Sequence, residues 1–126
     1  MPTGADIAEY LEDQSVGTVG TDIFVNYMPA DVNNCIGVFE TTGLPPEKAV
    51  DIDHPGIQIR VRNTSQSTAE TKRKAVYDAL NGLIGTTIET RLYYSIWALG
   101  SPMALGQDDQ RRFQYTQNYQ IMKDRE

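Results

Sequence analysis

Residues 56–81 read GIQIRVRNTSQSTAETKRKAVYDALN, and this stretch decides the fold class. Ile57, Ile59 and Val61 alternate with Gln58, Arg60 and Arg62. A period of two belongs to a strand with one apolar face, because successive side chains leave the pleated backbone on opposite sides. The expected strand covers Gly56 to Arg62. Ser67 and Glu70 follow at the spacing of a capping box, in which each side chain satisfies a backbone amide left open at a helix start. The helix expected next runs from about Thr68 to Leu83. It carries Ala69, Val76, Ala79, Leu80 and Leu83 on one face, with Glu70, Lys74, Asp78 and Asn81 largely opposite. Gly82 and Gly85 are stop signals. The polar strand face bears arginines and a glutamine, not a nucleophile with its base. Such a face suits contact with another protein better than chemistry.

Working outward, Thr3 and Asp6 can cap a first helix over Gly4 to Asp13, with Ile7 and Leu11 stacked and Glu9, Glu12 and Asp13 pointing away. Ile23 to Tyr27 reads as a strand stopped by Pro29, and Cys35 to Glu40 as another. Asp31, Asn33 and Asn34 between them are turn formers, so an antiparallel hairpin is expected. Thr41 to Pro55 is expected to be a loop, with a helical turn at Pro46 to Val50. A loop of that length in a compact domain is usually functional or mobile. Leu92 to Leu99 and Arg112 to Met122 alternate and should pair across a loop at Gly100 to Gln110. The order is α-β-β-β-α-β-β. The expected fold is α+β: a mixed, mostly antiparallel sheet of about five strands with two helices on one face. With 126 residues, one domain over 1–126 is expected.

The net charge of −6 argues against general attraction to nucleic acid or to anionic membrane. Local basic clusters stand at Lys72–Lys74 and at Arg111 and Arg112, and suit acidic partner proteins, neighbouring subunits or plain solvation better than nucleic acid. Seven tyrosines supply apolar area with a polar tip, a composition common at interfaces. Cys35 is the single cysteine, so an internal disulfide is impossible, and beside Ile36 and Val38 it reads as a small buried hydrophobe. Asp6, Glu9 and Glu12 stand where a signal peptide would be basic, so synthesis in a reducing, soluble compartment is expected.

Catalytic equipment is sparse. Asp51, Asp53 and His54 could ligate a cation, but the spacing fits no closed ligand set and a second histidine is lacking. A serine nucleophile could use only His54, and neither a Gly-x-Ser-x-Gly elbow nor a phosphate loop with its lysine is present. No enzyme activity, cofactor or metal is expected. Asp108 and Asp109 with Arg111 and Arg112 form a charged hairpin tip, either a solvated loop or a docking tip. Gln58, Arg60 and Arg62 form either an ordinary solvated sheet face or a subunit interface, where arginine forks onto carboxylates.

Several segments together carry a resemblance. Tyr27-Met28-Pro29, Glu40-Thr41-Thr42-Gly43, Ile57 to Arg62, Pro102 to Asp108 and the strand Phe113 to Ile121 are similar to the tail terminator (minor capsid, tail completion) proteins of long-tailed bacteriophages. The resemblance covers about Ile23 to Ile121. It implies a structural protein that forms a ring, typically a hexamer, at the head-proximal end of the tail tube. Such a ring stops tube growth and meets the head completion or stopper protein. It implies a virion protein made in the bacterial cytoplasm, with no catalysis and no cofactor. The residues expected at the contacts are Gln58, Arg60, Arg62, Gln114, Thr116 and Asn118 on the sheet, with Asp108, Asp109, Arg111 and Arg112 at the tip. Another phage neck component, or a small non-catalytic binding module, would share these features.

Overall fold

The computed structural model describes residues 3–45 and 49–125. In chain order the elements are α1 (Thr3–Asp13), β1 (Ile23–Val25), β2 (Cys35–Leu44), β3 (Ile52–Asn63), α2 (Gln66–Leu80), β4 (Leu83–Ile88), β5 (Arg91–Ala98), β6 (Met103–Gln107) and β7 (Phe113–Asp124). The class is α+β, with seven strands rather than about five. The strand order is β1-β2-β3-β7-β5-β4, with β6 also paired to β7.

The antiparallel β3–β7 pair is the spine of the sheet. Ile57, Ile59 and Val61 lie opposite Tyr119, Gln117 and Tyr115 and face the helices. The three aliphatic side chains are buried, each stabilising the fold by about 1.5–3 kcal/mol. From the helix side, Ile7, Ala8 and Leu11 of α1 and Ala69, Val76 and Leu80 of α2 complete the core. The expected Thr3 and Asp6 cap is replaced by a long-range one. Gly4 N donates to the Glu40 carboxylate of β2 at 3.0 Å. Asp6 is instead buried, accepting from the Tyr93 hydroxyl at 2.8 Å and from Arg91 at 3.2 Å.

The expected hairpin of the first two strands is corrected: β1 and β2 run parallel. The chain leaves β1 at Asn26, in the left-handed region at φ 63°. Residues 26–34 then return along the sheet, so β2 starts from the same end as β1. The second strand also extends further than expected, through Leu44, and β3 begins at Ile52. The helical turn expected at Pro46 to Val50 falls largely outside the described residues.

The capping box at Ser67 and Glu70 does not form. Asn63 Oδ1 accepts from Ser65 N at 3.0 Å, which ends β3 and sets Ser65 as the N-cap. Ser65 Oγ accepts from Thr68 N at 3.4 Å, while Glu70 bonds to Arg73 at 2.6 Å. At the other end, Asn81 Oδ1 accepts from Ala98 N at 2.8 Å, and Gly82 turns the chain at φ 82°. Leu83 therefore belongs to β4, not to the helix. The expected loop at Gly100 to Gln110 holds β6, which continues along the edge of β7 that β5 leaves at Ala98.

Candidate functional site

The helix-free face of the sheet and the hairpin that ends it form the candidate surface. Gln58, Arg60 and Arg62 lie directly across the β3–β7 ladder from Asn118, Thr116 and Gln114. Paired residues on neighbouring strands point to the same side, so the six form one patch. Gln58 Nε2 donates to Asn118 Oδ1 at 3.1 Å, and Arg60 Nε donates to Gln58 Oε1 at 3.0 Å. The Arg60 guanidinium also lies 5.4 Å from the Phe39 ring centroid. The chain of contacts holds Arg60 half-exposed in one orientation, able to fork onto a carboxylate without first losing much rotamer freedom.

Arg62 has a different role. It is only 6% exposed because the 26–34 segment crosses over it. Its Nη2 donates to the carbonyls of Pro29 and Val32, the latter at 2.6 Å. Arg112, equally buried, donates from Nη1 to Ala30 O at 2.7 Å. Two arginines from separate strands thus strap this segment to the sheet. Beneath it Gly37 admits Met28, where a Cβ would lie 2.6 Å from Met28 Cγ. Thr116 is buried as well, while Gln58, Arg60 and Gln114 are half-buried and Asn118 is exposed.

The hairpin tip is a closed turn. Asp108 Oδ1 accepts from Gln110 N at 2.9 Å and Arg112 N at 3.0 Å, and Oδ2 accepts from Arg112 Nε at 2.8 Å. The Arg112 backbone amide leads the causes that hold the Asp108 carboxyl below its ordinary range. Arg111 adopts φ 61°, and it and Asp109 remain exposed at the apex. Behind the apex, β6 is exposed along its whole length. Sequence reasoning passed over the apolar residues here: Trp97, Leu99, Met103 and Leu105 are all exposed. Met103 and Leu105 do alternate with Ala104 and Gly106, a strand signal hidden by Pro102 and the glycine.

The β2–β3 connection lies at the opposite end of the strands, since Ile52 pairs with Asp124 while Asn63 pairs with Phe113. Gly43 and His54 approach so closely there that a Cβ on Gly43 would lie 1.9 Å from His54 O. Leu44 and Val50 are exposed at this end. Asp51 and Asp53 hold Arg125, at 3.6 and 3.1 Å. Among the described residues no group of three His, Cys, Asp or Glu side chains is placed to hold a metal ion. Cys35 is buried, and burial pushes its thiol pKa up, away from reactivity. The cavity beside it is about 40 Å³, room for little more than a water molecule.

The sequence profile of the bacteriophage tail terminator protein family matches residues 10–125. The chain belongs to this family. No protein of curated function matches it in sequence. Among solved structures, this terminator-family chain is similar to one from the virion of a native gene transfer agent particle, with a TM-score of 0.73 and 15% identity. The similarity covers 97% of this chain and 94% of the other, and at that identity it concerns the fold. The terminator-family chain is a phage virion structural protein, and no described helix is long and apolar enough to cross a membrane.

Proposed function

We propose that the chain forms a ring, of six copies, on the head-proximal end of a phage tail tube, where it ends tube growth and receives the head completion or stopper protein. The observation that carries this reading is the family match over residues 10–125. The geometry supports it in one respect. A terminator must bind the last tube layer and present a different surface beyond it, otherwise growth continues. The chain has two unlike ends. One carries the charged Asp108–Arg112 tip, and the other carries Leu44, Val50 and Asp51. In this reading the two ends meet axial neighbours, the tube on one side and the head complex on the other.

The Gln58, Arg60, Gln114 and Asn118 patch lies on the helix-free face, between the ends, and would meet a neighbouring copy or the tube. Asp109 and Arg111 would add contacts at the apex. Arg62, Asp108, Arg112 and Thr116 would shape these surfaces from within. The role is structural, in the tail–neck region of the virion after synthesis in the bacterial cytoplasm, without catalysis or cofactor.

Mixing the chain with purified tail-tube protein tests the reading. Tube lengths in negative stain should shorten with added chain, and rings should appear on tube ends. Arg60→Glu should abolish this effect while leaving the fold intact. Tubes that bind the chain yet keep growing would assign it to another neck component.

A further inference from the structure

Nearly all cations of the chain are engaged within it. Among the described residues, every lysine and arginine but two bonds a carboxylate, a backbone carbonyl or a hydroxyl of its own chain. The two are Arg60 and Arg111. Arg60 bonds the neutral Gln58 amide and lies over the Phe39 ring. Arg111 is exposed at the hairpin apex, and its side chain bonds no described residue. Leaving two arginines without a carboxylate runs against the balance of a chain of net charge −6.

Both arginines stand at one end of the sheet. Arg60 lies toward the end of β3 that pairs with Phe113, and the apex directly precedes Phe113. Two exposed carboxylates without a partner among the described residues stand there too. Asp109 shares the apex with Arg111, and Asp31 lies in the 26–34 segment strapped down by Arg62 and Arg112. Asp108 is already held by Arg112. On the helix-free side of this end the open charges named are therefore two of each sign.

Uncovered apolar area adjoins them. Arg60 and Met103 flank Thr116 in one row across β3, β7 and β6, and Leu99 is bonded beside Asn118. Met103 and Leu99 are largely exposed, as is Leu105 behind the apex. An oriented arginine among apolar side chains is the composition found at interface centres.

The chain cannot join these charges within itself. Asp109 lies beyond the start of β7, Arg60 pairs further in with Thr116, and the Asp108 bonds fix the turn between. A foreign acidic surface would match Arg60 and Arg111 and be repelled by Asp31 and Asp109. A second copy matches all four. Copies standing side by side with their ends aligned bring equal heights together, as a closed ring requires.

We propose that the hairpin apex of one copy docks on the helix-free face of the next, Asp109 against Arg60 and Arg111 against Asp31, with Leu105 brought to Met103. The proposal rests on the reading that the chain assembles with itself, and it names the side chains that meet.

The test is self-association of the full chain, measured by sedimentation at concentrations up to about 1 mM. Asp109→Lys should weaken association roughly tenfold, since reversing an exposed pair turns attraction into repulsion. That variant loses one negative charge and gains one positive, moving the net charge of −6 toward neutrality. General repulsion between copies therefore predicts the opposite result, tighter association. Arg60→Glu should act like Asp109→Lys, and a chain carrying both should return to within about threefold of wild type, because the pair is restored with its signs exchanged. Arg111→Asp and Asp31→Lys should behave as a second such pair. Asp109 has no partner in the described chain, so Asp109→Lys should melt like the wild type. Wild-type chain that stays monomeric overturns the proposal, as does Asp109→Lys that associates as tightly as wild type, or a double variant no tighter than either single one. The tube-length assay is independent. Association through this contact without tube capping sinks the terminator reading alone, and capping by a chain whose association Asp109→Lys leaves untouched sinks this proposal alone.

Discussion

Replacing Arg62 with leucine should release the 26–34 segment from the sheet. Arg62 donates to two backbone carbonyls of that segment, Pro29 and Val32. Hydrogen bonds from a charged donor contribute about 1.5–3 kcal/mol each. Two considerations keep the loss below the sum. The segment can lift, letting water reach the freed carbonyls. The mutation also removes the buried Arg62 Nε, which lacks a partner among the described residues and itself carries a cost. A loss of about 3 kcal/mol results, or roughly 10 °C in Tm for a domain of this size. Arg112 still holds Ala30, so the chain should remain folded. Urea unfolding followed by Trp97 fluorescence would give the stability. Amide exchange at residues 26–34 should rise well above the change elsewhere. Arg62→Lys keeps the charge but not the fork, and should lose about half as much. A leucine variant within about 0.5 kcal/mol of wild type, the range of an ordinary surface change, would refute the strap.

Three further outcomes follow from local geometry. Ser65→Ala should cost about 1 kcal/mol in urea unfolding through loss of the α2 cap, whereas Ser67→Ala should be near neutral; the reverse ranking would restore the capping box. Gly43→Ala should cost about 2 kcal/mol, because its Cβ meets the His54 carbonyl, a backbone atom with little room to give; unchanged thermal unfolding would contradict that close approach. Asp108, whose folded-state pKa is depressed, contributes stability that is present above its unfolded value and lost as pH falls through the folded one. Protection factors at the hairpin tip, referred to the intrinsic exchange rate at each pH, should therefore fall at acid pH in the wild type, and Asp108→Asn should remove that pH dependence.

The parts legible in the sequence are those set by neighbours a few residues apart. Strand β3 was visible because Ile57, Ile59 and Val61 must share a face. The grouping of Gln58, Arg60 and Arg62 with Gln114, Thr116 and Asn118 followed from the alternation of two strands. The direction of β1 against β2 was not visible, since it depends on Arg62 and Arg112 gripping a segment some 30 and 80 residues away in sequence. The same contacts bury Arg62, which alternation alone would leave on an open face. Leu83 fits the apolar stripe of the helix as well as a strand, and Asn81, bound to Ala98, decides between them together with the Gly82 turn and the pairing of Leu83 with Ile96. Glu40 as the partner of the α1 terminus is likewise a contact over 36 residues.

The free borders of the sheet bear on how the chain behaves in a crowded solution. At one end β1 is three residues long. At the other, Gly85 breaks β4 with φ 60°. Along the hairpin, Pro102 precedes β6 and Gly106, at φ 77°, puts a bulge in it. Short, kinked or proline-blocked borders are poor templates for a stray strand. Seven strands are thus gathered into a sheet that offers little for amyloid-like growth to extend. A concentrated stock of the chain should stay free of fibrils, so that its assembly is governed by side-chain surfaces and not by backbone adhesion.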